Sequence, residues 1–317
     1  MPTRPFEGNQ LNDFLRPNIN RGFEIFDKNE KLLFSSTPEV PRSISWSNSE
    51  IRDVAERLNL INISTEFYPS SESQTLADKW GIKVDYQSHE TWSRWFQAIT
   101  EGKSLLPDTN ILVMRTIRSV ILPSLNLTEG KNLPFKIVIP RRAILELENL
   151  ANRKKGNKGK YFLAFNEIRR LKSYSSLTIP LDYEEITLFN KGSGSQIPDA
   201  LIREEVQRYC GMSGDQIIYL TRDMVSALAA NAEDIDAIYM APKSPDQKKL
   251  ENIGLGEIRE MIIETATDYG TIVINWDNDT SFKIEGVWSG KNWFDYSRQR
   301  VRVTPSKKYY LSLALDS

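Results

Sequence analysis

The sequence predicts an α/β protein with a parallel sheet flanked by helices in its middle region, an N-terminal α+β accessory domain and a small C-terminal antiparallel β domain. Between residues 104 and 245, short apolar strand patterns alternate with helix patterns, which indicates parallel strands joined by right-handed crossovers. After residue 246, strand-like runs alternate with turn signals such as Asn278-Asp279 and Ser289-Gly290, a pattern typical of antiparallel sheets. A chain of 317 residues is long enough for two or three domains.

The N-terminal region, residues 1–103, mixes strand and helix patterns. Residues 23–34 predict a hairpin around a polar turn. Residues 49–58 have helical spacing behind a serine cap, and residues 76–80 and 91–99 also favour helices. These patterns predict the accessory domain.

In the middle region, residues 104–245, acidic residues recur at strand ends or in the next helical turn. The strands are predicted at residues 105–106, 136–139, 177–181, 216–220 and 237–240. Asp108 follows the first strand and precedes a helix predicted at 111–122, which Thr109 or Asn110 can cap. A simpler alternative is that Asp108 only caps this helix. Since ligands of open α/β sheets bind at the carboxyl ends of the strands, the acids predict a site there.

The order of these pieces resembles the PIN domain, a family of metal-dependent nucleases. The matching pieces are Asp108-Thr109-Asn110, then Ile139-Pro140 followed by Ile144-Leu145-Glu146-Leu147, then Pro198-Asp199-Ala200, and finally Leu220-Thr221-Arg222-Asp223. The resemblance covers residues from about 104 to 241, and Arg222 stands where the family more usually has Asn. It implies a PIN-like parallel sheet and endonuclease activity, more often on RNA, while the flanking regions match nothing recognised.

Gathering Asp108, Glu146, Asp199 and Asp223 at one site requires a compensating charge. At about 4 Å and an effective dielectric constant near 20, each like-charge contact costs on the order of 4 kcal/mol at most. Oxygen ligands without His or Cys favour Mg²⁺ or Mn²⁺, either of which can activate a water for phosphodiester hydrolysis. We therefore expect these four carboxylates to be both catalytic residues and metal ligands, with Asn110 and Thr221 supporting them.

Basic side chains supply candidate contacts to nucleic acid. Those between residues 141 and 160 lie beside or in a glycine-containing loop, and Arg298, Arg300 and Arg302 alternate, so a strand would place all three on one face. The alternative for each group is a solvated surface. The candidate residues are Arg141, Arg142, Lys154, Lys155, Lys158, Arg222, Arg298, Arg300 and Arg302.

The leading functional hypothesis is a Mg²⁺- or Mn²⁺-dependent endonuclease that acts on RNA, with DNA left open as a substrate. In this hypothesis the arginine and aromatic residues of the region 246–317 also contribute to nucleic-acid binding. The alternative is a non-catalytic nucleic-acid-binding protein that uses a PIN-like scaffold. A phosphatase with an Asp-x-Asp signature is not indicated, because Thr109 and Asn110 follow Asp108.

Composition excludes several other classes of protein. The 41 basic and 42 acidic residues balance, so only local patches can argue for nucleic acid. Cys210 is the single cysteine and His89 the single histidine, which excludes an intrachain disulfide and makes a Ser-His-Asp triad a poor candidate. With no long apolar segment or signal-peptide pattern, we expect a cytoplasmic protein without membrane contact, and a homo-oligomer stays open.

Overall fold

The computed structural model describes the chain in separate stretches. These are residues 8–18, 21–37, 43–46, 54, 57–58, 63–68, 103–122, 135–152, 159–172, 177–178, 198–242, 248–251, 254–276, 280–286 and 300–305.

The strands of these stretches form two sheets. In chain order they are β1 (Phe23–Asp27), β2 (Leu32–Ser36), β3 (Ser43–Trp46), β4 (Ile63–Tyr68), β5 (Lys103–Pro107), β6 (Lys136–Val138), β7 (Leu177–Thr178), β8 (Gln216–Thr221), β9 (Asp236–Pro242), β10 (Lys248–Glu251), β11 (Thr271–Trp276), β12 (Thr280–Gly286) and β13 (Val301–Pro305).

Helices connect and cover these strands. The α-helices are α1 (Gly8–Leu15), α2 (Thr109–Val113), α3 (Arg141–Asn152), α4 (Gly159–Leu171), α5 (Pro198–Ser213), α6 (Met224–Ala232) and α7 (Leu255–Tyr269). A 3₁₀ turn spans Arg16–Asn18, and a π-helical turn spans Ile117–Ile121.

The chain divides into two compact units. The first comprises Met1–Ile61, Ala151–Asn166 and Ser244–Ser317, and the second comprises Asn62–Leu150 and Glu167–Lys243. The fold is thus mixed α/β, with a parallel sheet flanked by helices in one unit and a separate antiparallel sheet in the other.

The antiparallel sheet belongs to the first unit and has the order β10-β3-β2-β1-β11-β12-β13. Period-2 alternation places Ile272, Ile274 and Trp276 on its buried face. They pack in a core with apolar residues of α1 and α7, such as Leu11 and Met261. The sheet is therefore covered on one face by helices, as expected for an amphipathic antiparallel sheet.

The other sheet belongs to the second unit and has the order β4-β9-β8-β5-β6-β7. Strands β5 to β9 pair in parallel, and β4 pairs with β9 in the antiparallel direction. Strand β8 is buried from Ile217 to Thr221, the continuous burial typical of strands covered on both faces. Ile202 and Val206 of α5 pack in one core cluster with residues of β5, β6 and β8.

Strands that are far apart in the sequence pair across the boundaries at residues 103 and 245, which were predicted to separate three domains. β1 pairs with β11 and β3 with β10, so the two terminal regions, expected as separate domains, contribute to one sheet. β4, also from the N-terminal region, instead extends the parallel sheet. The difference arises because any exposed strand edge can be completed by main-chain hydrogen bonds, which leave no signature in the side chains.

The helix predicted at 111–122 is interrupted in the structure. α2 ends at Val113, and Arg115 adopts a left-handed conformation with φ 57° before the π-helical turn begins. The apolar periodicity continues across this break, which is why the sequence pattern did not reveal it. The hairpin predicted at 23–34 is present as β1 and β2, whereas the helices predicted at 76–80 and 91–99 lie outside the described residues.

None of the helices in the described stretches combines the length and apolarity that a membrane span requires.

Candidate functional site

Three neighbouring parallel strands bring predicted site residues to one edge of their sheet. β5 lies between β8 and β6. Asp108 directly follows β5, Asp223 lies two residues beyond β8, and Glu146 lies on α3, the helix that follows β6. Because parallel strands share a direction, their carboxyl ends meet at the same edge.

Asp108 is 3% exposed and forms the centre of this edge. Its Oδ1 accepts a hydrogen bond from the Ile111 N–H at 2.7 Å, which makes Asp108 the N-cap of α2. Its Oδ2 accepts from the Thr221 hydroxyl at 2.6 Å and from the Arg222 N–H at 3.4 Å. Asp108, rather than Thr109 or Asn110, therefore caps the helix, and it also ties β5 to β8.

Thr221 connects Asp108 to Asp223. The Thr221 Oγ1 donates to Asp108 and accepts from the Asp223 N–H at 3.0 Å. Asp223 in turn caps α6, since its Oδ1 accepts from the N–H groups of Val225 at 2.8 Å and Ser226 at 3.3 Å. The ends of β5 and β8 are thus built alike, each with an aspartate that starts the next helix.

Glu146 joins the network through Thr109. Thr109 is buried, and its hydroxyl donates a hydrogen bond to Glu146 Oε2 at 2.6 Å. Glu148, two positions further along α3, is exposed, as the helical spacing predicts. The α3 carboxylate that faces the strand ends is therefore Glu146.

Asp199 lies in the first turn of α5, but its side chain is outside the part of the chain whose side chains are described. Three of the four predicted acids are therefore connected through the hydrogen bonds of Thr109 and Thr221. The structure places α5 over the same strands without locating the Asp199 carboxylate.

The predicted supporting residues differ in their surroundings. Thr221 is fully buried and bonded to Asp108, whereas Asn110 is exposed, and its main-chain carbonyl accepts a hydrogen bond from the Met114 N–H. The sequence pattern predicts no role for Thr109 beyond a helix cap. The sequence does carry a signal for the contact with Glu146. Thr109 directly follows Asp108 at the end of a strand, and a hydroxyl at that position can reach α3.

Glu205 is a second residue that the sequence analysis missed. Its two carboxylate oxygens accept the N–H groups of Arg141 at 2.7 Å and Arg142 at 3.1 Å, in the first turn of α3. Burial raises the pKa of Glu205, and these two N–H groups partly offset that rise. The sequence signal for this contact is Pro140, which precedes α3 and has no side chain that can cap the helix. The acceptor for the first N–H groups of α3 must therefore come from elsewhere.

The predicted nucleic-acid contacts are distributed over both units. Arg141, Arg142 and Arg222 are half-buried in the second unit, and the main-chain N–H group of each is hydrogen-bonded to an acidic side chain. In the first unit Arg302 is exposed on β13, opposite Glu285, and Arg300 just precedes that strand. The remaining predicted contacts, Lys154, Lys155, Lys158 and Arg298, lie outside the described residues.

The donor set at the edge consists of carboxylate oxygens, which suit a hard cation. Glu146 Oε1 and Asp223 Oδ2 accept no hydrogen bond within the described stretches. Among those residues no group of three His, Cys, Asp or Glu side chains lies close enough to hold a metal ion. Two carboxylates are thus available to a cation, while both oxygens of Asp108 are already engaged.

Comparison with known proteins yields little similarity. No protein-family model matches the chain, and no curated protein matches it either. Among solved structures, a domain of a functionally unknown protein from Methanocaldococcus jannaschii DSM 2661 is similar at 22% identity and a TM-score of 0.34, covering 45% of this chain and 95% of that one. At that score the likeness supports no statement about fold or function.

Proposed function

We propose that the chain is a PIN-like, Mg²⁺- or Mn²⁺-dependent endonuclease that acts on RNA. The observation that supports this proposal best is the line of Asp223, Thr221, Asp108, Thr109 and Glu146 along the ends of three adjacent strands. Hydrogen bonds join the Asp223 N–H to Thr221, Thr221 to Asp108 and Thr109 to Glu146, and Asp108 and Thr109 are neighbours in the chain. The residues are those on which the PIN resemblance rests, and the edge is the one at which open α/β sheets bind ligands.

In this proposal the residues of the line have different tasks. Glu146 and Asp223 would hold the cation, together with Asp199 of α5. Thr109 orients Glu146 by donating to one of its oxygens. Asp108, buried and engaged on both oxygens, keeps the two strand ends in register. When bound, Mg²⁺ or Mn²⁺ supplies the positive charge that favours attack of water on a phosphodiester.

A nuclease assay with matched variants tests the proposal. The purified chain is incubated with single-stranded and duplex RNA and DNA in chelator, in Mg²⁺ and in Mn²⁺. We expect RNA cleavage that requires the ion and is abolished by Glu146→Gln and by Asp223→Asn. Glu148→Gln is the control, because it makes the same change on the exposed side of α3 and should retain activity.

Thermal unfolding supplies a readout that does not depend on the choice of substrate. An ion bound only by the native state raises the melting temperature. The shift caused by Mn²⁺ should be present in the wild type and in Glu148→Gln, and smaller in Asp223→Asn. Equal shifts in all three proteins would contradict a metal site at Asp223.

The second candidate is a nucleic-acid-binding protein without catalytic activity, built on a PIN-like scaffold. It is favoured by the full engagement of Asp108, both of whose oxygens already accept hydrogen bonds. Salt-sensitive binding of RNA without cleavage in any divalent ion would select this candidate.

A further inference from the structure

Helix α3 carries Glu146 but begins without a cap of its own. Ile139 and Pro140 precede its first residue, Arg141, and neither has a side chain that can accept a hydrogen bond. The first N–H groups of any α-helix have no partner within the helix and need an external acceptor. The start of α3 is therefore determined by whichever group supplies one.

Glu205 of α5 supplies that acceptor from more than 60 positions further along the chain. One of its oxygens takes the Arg141 N–H and the other takes the Arg142 N–H, so a single carboxylate holds the first turn of α3 at two points. A negative charge at a helix N-terminus is also favoured by the helix dipole. The contact thus combines two charge-assisted hydrogen bonds with a favourable dipole interaction.

α5 is itself fixed independently of α3. Ile202 and Val206, on either side of Glu205, are buried in the core cluster with residues of β5, β6 and β8. Arg203 Nε donates to Glu233 Oε1 at 3.0 Å, which fastens α5 to the end of α6. Because α5 is packed on the sheet, the contact of Glu205 fixes the start of α3, the helix that follows β6, relative to that sheet.

We propose that Glu205 is a positioning residue of the candidate site, which holds α3 so that Glu146 faces the ends of β5 and β8. This inference rests on the proposed nuclease function. Glu146 lies five residues after Arg141, about 7.5 Å along the helix axis, so a shift of the first turn moves the Glu146 carboxylate directly. Displacements on the order of 1 Å can cost about a hundredfold in rate.

The variants are Glu205→Gln and Glu205→Ala, with Glu204→Gln as the matched control. In Glu205→Gln the amide oxygen keeps one N–H group, while the new NH₂ group faces the other and repels it. Glu205→Ala removes both acceptors. Glu204 is exposed on the same helix and has no hydrogen bond or ion pair within the described residues, so its substitution makes the same charge change without the contact.

Two measurements on the full-length chain separate positioning from simple stability. We expect kcat for RNA cleavage to fall about tenfold in Glu205→Gln and further in Glu205→Ala, with KM within about twofold of the wild type, because substrate contacts are unchanged. Amide hydrogen exchange at Arg141 and Arg142 should accelerate in both Glu205 variants and stay unchanged in Glu204→Gln. All assays are run below the melting temperature of each variant, with circular dichroism to confirm the fold.

Each contrary result has a distinct meaning. Accelerated exchange with an unchanged kcat would show that Glu205 is only a helix cap and would overturn the inference. Exchange that is the same in Glu204→Gln and Glu205→Gln would overturn the contact itself. A wild-type chain that cleaves nothing in Mg²⁺ or Mn²⁺ would instead overturn the proposed function, and the role of Glu205 in cleavage with it, whatever the exchange result.

Discussion

Asp108→Asn distinguishes a structural role for this residue from a purely electrostatic one. The substitution keeps the size of the side chain and removes its charge. If the main effect of Asp108 were repulsion of neighbouring carboxylates, the variant would be as stable as the wild type or more stable in the absence of metal. The hydrogen bonds of Asp108 predict the opposite sign.

The magnitude follows from the partners of the two oxygens. The asparagine introduced by this change can still cap α2 through its amide oxygen, because Asn caps as well as Asp. Its NH₂ group would then face the Thr221 hydroxyl and the Arg222 N–H, both of which donate to the carboxylate in the wild type. Since hydrogen bonds to charged groups contribute about 1.5–3 kcal/mol, we expect the free energy of unfolding to fall by about that amount.

Equilibrium urea denaturation in the presence of a chelator measures this change. Asp223→Asn is the control. Asp223 is exposed, and within the described residues its carboxylate accepts hydrogen bonds only from main-chain N–H groups, so Asn should cost less than about 0.5 kcal/mol there. If the Asp108→Asn variant were as stable as this control, the proposed role of the Asp108 hydrogen bonds in holding β5 to β8 would be refuted.

Three further predictions concern other parts of the chain. Gly159→Ala should lower the free energy of unfolding by about 1–3 kcal/mol in urea denaturation, because its Cβ would lie 2.5 Å from the Thr267 carbonyl oxygen; a neutral effect would show that this contact can relax. Burial raises the pKa of Glu167 despite its ion pair with Arg118, so the folded chain holds that proton more tightly than the unfolded chain does. The contribution of Glu167 to stability is therefore present at acid pH and lost as pH rises through the raised pKa. Melting curves recorded from acid to neutral pH should show the wild type losing stability relative to Glu167→Gln. Parallel curves for the two proteins would contradict this. Arg302→Ala should reduce the slope of log affinity against log salt for single-stranded RNA by about 0.7 if Arg302 contacts a phosphate, and an unchanged slope would leave it a solvated side chain.

The sequence alone located most elements of the second unit. Strands β5, β6, β8 and β9 lie where apolar runs predicted them, because these signals act over a few neighbouring residues. The same local signals placed Asp108 and Asp223 at strand ends. The spacing along α3 likewise agrees with the structure, in which Glu146 meets Thr109 and Glu148, two positions on, is exposed.

The contacts that shape the candidate site were decided only by the tertiary structure. Thr221 meets Asp108 across 113 positions of sequence, and Glu205 meets the start of α3 across 64. In the second case the donors are main-chain N–H groups, which are the same in nearly every residue and leave no mark on the sequence. The break at Arg115 was hidden for a related reason, since the apolar spacing on both sides of it remains helical.

The same distinction explains the domain organisation. The patterns within residues 1–103 and 246–317 identified individual strands, including the hairpin of β1 and β2. They did not identify the pairing of β1 with β11, which joins Phe23 to Trp276 and Ile25 to Ile274. Local periodicity determines which residues are buried, whereas the partner that buries them is chosen by long-range packing and main-chain hydrogen bonding, and only the folded chain brings those partners together.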